Sequence, residues 1–207
     1  MADPKNLHSI FRNKIKDLEK ARRNLDKSFK GGYLNKSDLG LSYSGLYLSL
    51  FSEFEALIED LFLGLLKGDI ISNKAGFRIR IQISPNTCVN DVLFAEKKYL
   101  NWLPFDRCTE ERAKIFFDNG IPFTGTLNSK DKSDLTFLHI IRNSIAHRSK
   151  SSKDSFLDKI SSLALLPEEQ NPAMFLLNIP NPANSKTKNQ YKIALDTLLL
   201  LAKKLCE

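Results

Sequence analysis

Leu7, Ile10, Phe11, Ile15, Leu18, Leu25 and Phe29 recur at three- and four-residue spacings, with Lys and Arg filling the other face. One apolar stripe of this kind predicts an amphipathic helix of about 25 residues, stopped at Gly31-Gly32. From Leu39 the pattern changes. Leu46, Tyr47, Leu48, Leu50 and Phe51 leave no polar face, while Phe54, Leu57, Ile58, Leu61, Phe62 and Leu65 stand opposite Glu53, Glu55, Glu59 and Asp60. A helix that is apolar all round must be surrounded by protein, so Leu39–Leu66 is expected at the middle of a bundle, ending at Lys67-Gly68-Asp69.

Phe77 to Ile83 alternates strictly between apolar and polar residues, the period of a strand. No second alternating run lies nearby to pair with it, so a short edge hairpin or an extended loop is expected. Helical spacing returns over Val89–Trp102 and again over Thr109–Asn119, the latter with Thr109 as its cap and Glu110 and Glu111 in its first turn. Residues 120–133 read as a loop, and Ser133-Asp134 as the cap of a helix over Leu135–Arg148. Residues 149–154 read as a turn, Phe156–Leu166 as a short helix, 167–190 as a Pro/Asn-rich excursion and Tyr191–Leu205 as the last helix. The expected fold class is all-α, a bundle of five or six helices with a small extended or hairpin insert near 77–83.

Composition narrows the class. The 207 residues are 42% hydrophobic and 27% charged with 9 Gly and 8 Pro, which excludes collagen-like and low-complexity chains and leaves enough apolar surface for a core. A single domain is the expectation at this length. Cys88, Cys108 and Cys206 are far apart, form no C-x-x-C pair and have only three histidines beside them, so structural zinc is not expected and a reducing setting is. The first residues carry charge and no apolar run, so no signal peptide is expected. The uncharged run Leu39–Ser52 is 14 residues, short of a membrane span. A cytoplasmic protein with no membrane association is therefore expected.

The net charge of +7 is unevenly placed: residues 1–30 hold nine Lys/Arg and four acids, 128–153 hold six and two, and 39–69 hold one and five. Basic segments beside an acidic one suit either a polyanionic ligand or the pairing of neighbouring helices.

The densest candidate chemistry lies in 135–148. Leu135, Leu138, Ile141 and Ile145 share one helical face, while His139, Asn143 and His147 follow at i, i+4 and i+8 with Arg142 beside them. Two imidazoles, an amide and a guanidinium within three turns differ from an ordinary solvent face, which favours Lys and Glu. Asn143 stands one turn before His147, within reach of its ring. Arg142 and His147 are about 140° apart on an ideal helix. Plainer roles exist for each: His147 as a helix-terminal cation, Arg142 paired with Glu53, Glu55 or Glu59, and His139 as a core or interface histidine. Arg148, Lys150 and Lys153 are either a solvated turn or contacts to the phosphates of a polyanionic ligand. Trp102, Phe116 and Phe117 read as core.

Arg142-Asn143-Ser144-Ile145-Ala146-His147 resembles the R-x4-H signature of the HEPN superfamily (higher eukaryotes and prokaryotes nucleotide-binding), in the R-N-x-x-A-H form of its ribonuclease-toxin-like branches, among them the RiboL-PSP-HEPN-like group. Phe51-Ser-Glu-Phe-Glu-Ala-Leu-Ile-Glu-Asp-Leu61 is similar to the helix that precedes the motif there. The resemblance covers 39–66 and 131–148 and leaves 70–130 as a lineage-specific insert in one HEPN-like domain. It implies a metal-independent endoribonuclease needing no cofactor, dimerised so that two motif helices face each other across a cleft. By the same resemblance, His147 transfers the proton of the ribose 2′-OH, Arg142 stabilises the pentacoordinate phosphate, and Asn143 positions His147. The expected partners are RNA, a second copy of the chain, and a cognate antitoxin or defence-system protein. The rival reading is an inactive HEPN-like module that binds RNA or nucleotide, or that only dimerises.

Overall fold

A computed structural model describes residues 3–81, 89–94, 97–147, 149–180 and 188–207. Its helices are α1 (Pro4–Lys30), α2 (Lys36–Lys67), α3 (Val89–Phe94), α4 (Glu111–Phe116), α5 (Ser129–Ala146), α6 (Lys150–Ile160), α7 (Pro172–Phe175) and α8 (Gln190–Cys206). The fold is all-α. Five of these helices are eleven residues or longer, and the other three span six residues or fewer. Among the described residues no helix is long and apolar enough to cross a membrane. The chain forms two compact units, one of Met1–Phe11, Phe54–Thr136 and Leu200–Glu207, the other of Arg12–Glu53 and Phe137–Leu199. Their boundaries fall inside α1, α2, α5 and α8.

The first unit is organised round Phe62, whose ring centroid lies 5.0 Å from Phe117, 5.1 Å from Phe123 and 5.2 Å from Trp102. This cluster explains where local pattern fails. The helix expected over Val89–Trp102 is limited to α3, because Trp102 is drawn into the cluster with its Nε1–H donating to Glu59 at 2.8 Å, and Pro104 disfavours helical backbone just before it. Thr109 is no N-cap. It lies in a π-turn at Asp106–Glu110, fully buried, with its hydroxyl donating to the Trp102 carbonyl at 2.6 Å. The helix expected to run on to Asn119 ends at Phe116, since Phe117 turns extended (φ −124°, ψ 147°) to join the cluster. Phe117 also forms an antiparallel bridge with Ile79, and Arg80 N–H donates to Phe116 O at 2.8 Å. The alternating run 77–81 is therefore no strand of a hairpin: it makes a single bridge at Ile79 and bends at Arg80 and Ile81, and residues 82 and 83 lie outside the described residues. At the end of α2, Gly68 takes φ 76° and Ile70 folds back so that its side chain closes over Gly64. The positive φ at Gly68 is the conformation that favours glycine.

In the second unit, Tyr43, Tyr47, Leu50 and Phe51 of α2 are buried, but Leu46 and Leu48 are only half-buried and Leu41, Gly45 and Ser49 are exposed, so the start of α2 is not enclosed all round. Tyr43 packs edge-on to Tyr191 at 5.3 Å and donates its hydroxyl to Asp26 at 2.6 Å. Arg22 joins the same network, reaching Glu19 at 2.9 Å and Asp26 at 2.6 Å. Residues 149–154 are not a free turn: Ser149 is the N-cap of α6, accepting from Ser152 N–H at 3.2 Å, and α6 ends at Ile160 rather than Leu166. Phe156 of α6 and Phe175 of α7 pack at 5.5 Å, which ties the Pro/Asn-rich excursion down.

Candidate functional site

The helix that carries the motif starts earlier than its local caps advertise. Asn128 and Asp131 form a reciprocal box, Asp131 N–H donating to Asn128 Oδ1 at 2.9 Å and Asn128 N–H to Asp131 Oδ2 at 3.0 Å, so α5 begins at Ser129 and Ser133-Asp134 lies inside it. Leu135, Leu138 and Ile141 are buried, as the stripe predicts, whereas Ile145 is only half-buried.

The polar stripe divides. Eight residues of α-helix advance the azimuth by about 80°, so His139 and His147 do not share an environment. His139 stacks on Phe51 with centroids 5.9 Å apart and an interplanar angle of 13°. Its Nε2 meets Asn143 Nδ2 at 3.2 Å, and Asn143 Oδ1 in turn accepts from Arg142 Nη1 at 3.0 Å. The order of these bonds sets the protons. An amide nitrogen only donates, so Nε2 of His139 accepts and the ring is neutral with its proton on Nδ1. Burial pushes the His139 pKa down to about 4, and the nearby Arg142 charge acts in the same direction. Asn143 thus spends its amide on His139 and Arg142.

His147 stands apart, exposed just past α5, with its backbone N–H bonded to Asn143 O at 2.9 Å. Its side chain lines a pocket of about 520 Å³ together with Ser144, Ser149, Lys153 and Asn171. Ser144 is occupied with Ile141 O at 2.8 Å, and Ser149 donates to Ser152 Oγ at 2.9 Å. Arg142 does not line this pocket. Lys150 is exposed and outside it, and Arg148 lies outside the described residues. Of the described basic residues after the motif, Lys153 alone is brought to the same cavity as His147.

The chain matches no family model, no curated protein and no solved structure. Whatever the site does must be argued from its chemistry. An exposed imidazole beside an ammonium and two hydroxyls is equipped for proton transfer near a phosphate or another anion. Among the described residues no group of three or more His, Cys, Asp or Glu could hold a metal ion. Ser144, Ser149 and Asn171 were not among the residues singled out by pattern. Ser149 carries one legible signal, a serine three residues before Ser152 at a helix start, whereas Asn171 comes from a segment without periodicity.

Proposed function

We propose that this protein is a metal-independent endoribonuclease of the HEPN type, acting in a toxin–antitoxin or antiviral-defence setting. The observation that carries the reading is the Arg142-Asn143-x-x-Ala146-His147 run at the C-terminal end of α5, with the His147 imidazole exposed on a pocket wall beside Lys153. In the reaction, His147 accepts the proton of a ribose 2′-OH while that oxygen attacks the adjacent phosphorus. The P–O5′ bond breaks, the 5′-oxygen takes up a proton, and a 2′,3′-cyclic phosphate remains. Arg142 offsets the extra negative charge of the pentacoordinate phosphate. Arg142 does not line the pocket that His147 lines, so in this reading the two act on one phosphate across a dimer, the guanidinium of one copy facing the imidazole of the other.

Cleavage of single-stranded RNA by the purified protein in the presence of EDTA tests this. The expected products end in a 2′,3′-cyclic phosphate, and Arg142→Ala and His147→Ala each lower the rate at least about a hundredfold. A requirement for Mg²⁺, a 3′-hydroxyl product, or full activity in His147→Ala refutes the mechanism. One observation favours the inactive alternative, an RNA- or nucleotide-binding or dimerisation module: the Asn143 amide is engaged by His139 and Arg142 rather than by His147. RNA binding without cleavage in the same assay supports that reading.

A further inference from the structure

In the first unit, Lys97, Lys98, Arg107 and Arg112 line one cavity of about 860 Å³, a size typical of small-molecule sites. Among the described residues a single carboxylate lines it, Glu111, and that is held by Lys114 at 2.5 Å. Among the described residues none of the four cations has an ion-pair partner. Arg112 is the most constrained: its guanidinium lies 4.7 Å from the centre of the Trp102 ring and donates from Nη1 to Asn101 O at 3.1 Å. That bond engages one of its five N–H donors, and burial disfavours its charge more than the neighbouring Cys108 and Glu59 favour it. Between the cations the wall is apolar. Val92 and Ile115 are 40% and 55% exposed, and Leu100 stands beside them. A concave site with an excess of positive charge attracts an anion, while the apolar wall gains only if the ligand brings apolar surface with it. An inorganic ion would leave that wall wet, and a nucleic acid backbone has little to set against it.

We propose that this cavity binds a small anionic ligand with an apolar body, its carboxylate or phosphate held by Arg112 and the Lys97-Lys98 pair, its body lying on Val92, Leu100 and Ile115. The site is independent of the ribonuclease reading, since none of its residues belongs to the motif helix.

Trp102 is the only tryptophan of the chain and lies under Arg112, so its emission reports directly on an anion arriving there. Titrating the full chain with decanoate, decyl phosphate and decanol up to about 1 mM should give saturable changes with both acids and a markedly weaker one with decanol. The tighter of the two acids identifies the head group. Arg112→Gln should weaken binding about tenfold or more, the size expected for losing a charge-assisted hydrogen bond, with partial recovery in Arg112→Lys. Lys97→Gln/Lys98→Gln, whose side chains are exposed, gives a second variant that does not disturb the Trp102 packing. Alkylation of Cys108, which lines the same cavity, should be slowed by decanoate when followed by peptide mass. Decanol binding as tightly as decanoate, unchanged affinity in both variants, or no protection of Cys108 overturns the proposal. So does a Trp102 response to single-stranded RNA with none to decanoate, which would make the patch a polyanion surface.

Discussion

Acidification should destabilise this protein through one residue, His139, before its carboxylates begin to protonate. In the folded chain its ring is neutral, stacked on Phe51 and accepting from Asn143, and its pKa is pushed down to about 4 from an ordinary 6.5. Between those values the unfolded chain binds a proton that the folded chain does not, so folding stability is complete above about pH 6.5 and is lost as the pH falls toward 4. A displacement of that size corresponds to about 3 kcal/mol for a fully buried ring. His139 is half-buried, and solvent screening reduces the expected loss to about 1–2 kcal/mol. The measurement is urea unfolding at a series of pH values from about 7 to about 4, on the native chain and on His139→Gln. Glutamine can still accept from Asn143 but does not titrate there. The native chain should lose its stability advantage over His139→Gln by about 1–2 kcal/mol across that range, and contributions from His8, His147 and the carboxylates cancel in the difference. A stability gap that stays flat within about 0.3 kcal/mol would show that His139 takes up its proton as readily in the folded chain as in the unfolded one, and would refute its role as a buried neutral acceptor.

Asp131 should be the most costly carboxylate to remove: it is 7% exposed, holds Lys204 through both oxygens at 2.7 Å and caps α5. Burial pushes its carboxyl up, but Lys204 and the Asn128 N–H outweigh that and hold it below the usual range. Asp131→Ala should cost about 3 kcal/mol in urea unfolding, with Asp131→Asn recovering part through the cap, and a loss under about 1 kcal/mol would deny the pair a structural role. If the ribonuclease site is composite, the chain is a two-fold dimer, so light scattering at micromolar concentration should give twice the chain mass, and a monomer that still cleaves RNA would refute the shared site.

Local periodicity reaches far in this chain. That α1, α2 and α8 are helices is written within one segment each, because a helix repeats every 3.6 residues whatever surrounds it, although Ile10 and Phe29 of the α1 stripe and Leu41 of α2 stay exposed. The motif itself is of this kind: the spacing of Arg142, Asn143 and His147 follows from the helix alone. What the spacing does not carry is the fate of each side chain along the stripe. Phe51 lies 88 positions before His139 in the chain, and only their contact makes that imidazole a neutral acceptor and turns Asn143 away from His147. Trp102, Phe117 and Phe123 likewise gather on Phe62 and cut short two helices that local spacing would extend. The wall opposite His147 comes from Pro167 to Pro172, and the cation-lined cavity joins α3, α4 and the stretch between them. Both depend on segments without periodicity being folded against helices, an outcome decided by burial energy over the whole domain rather than by any window of sequence.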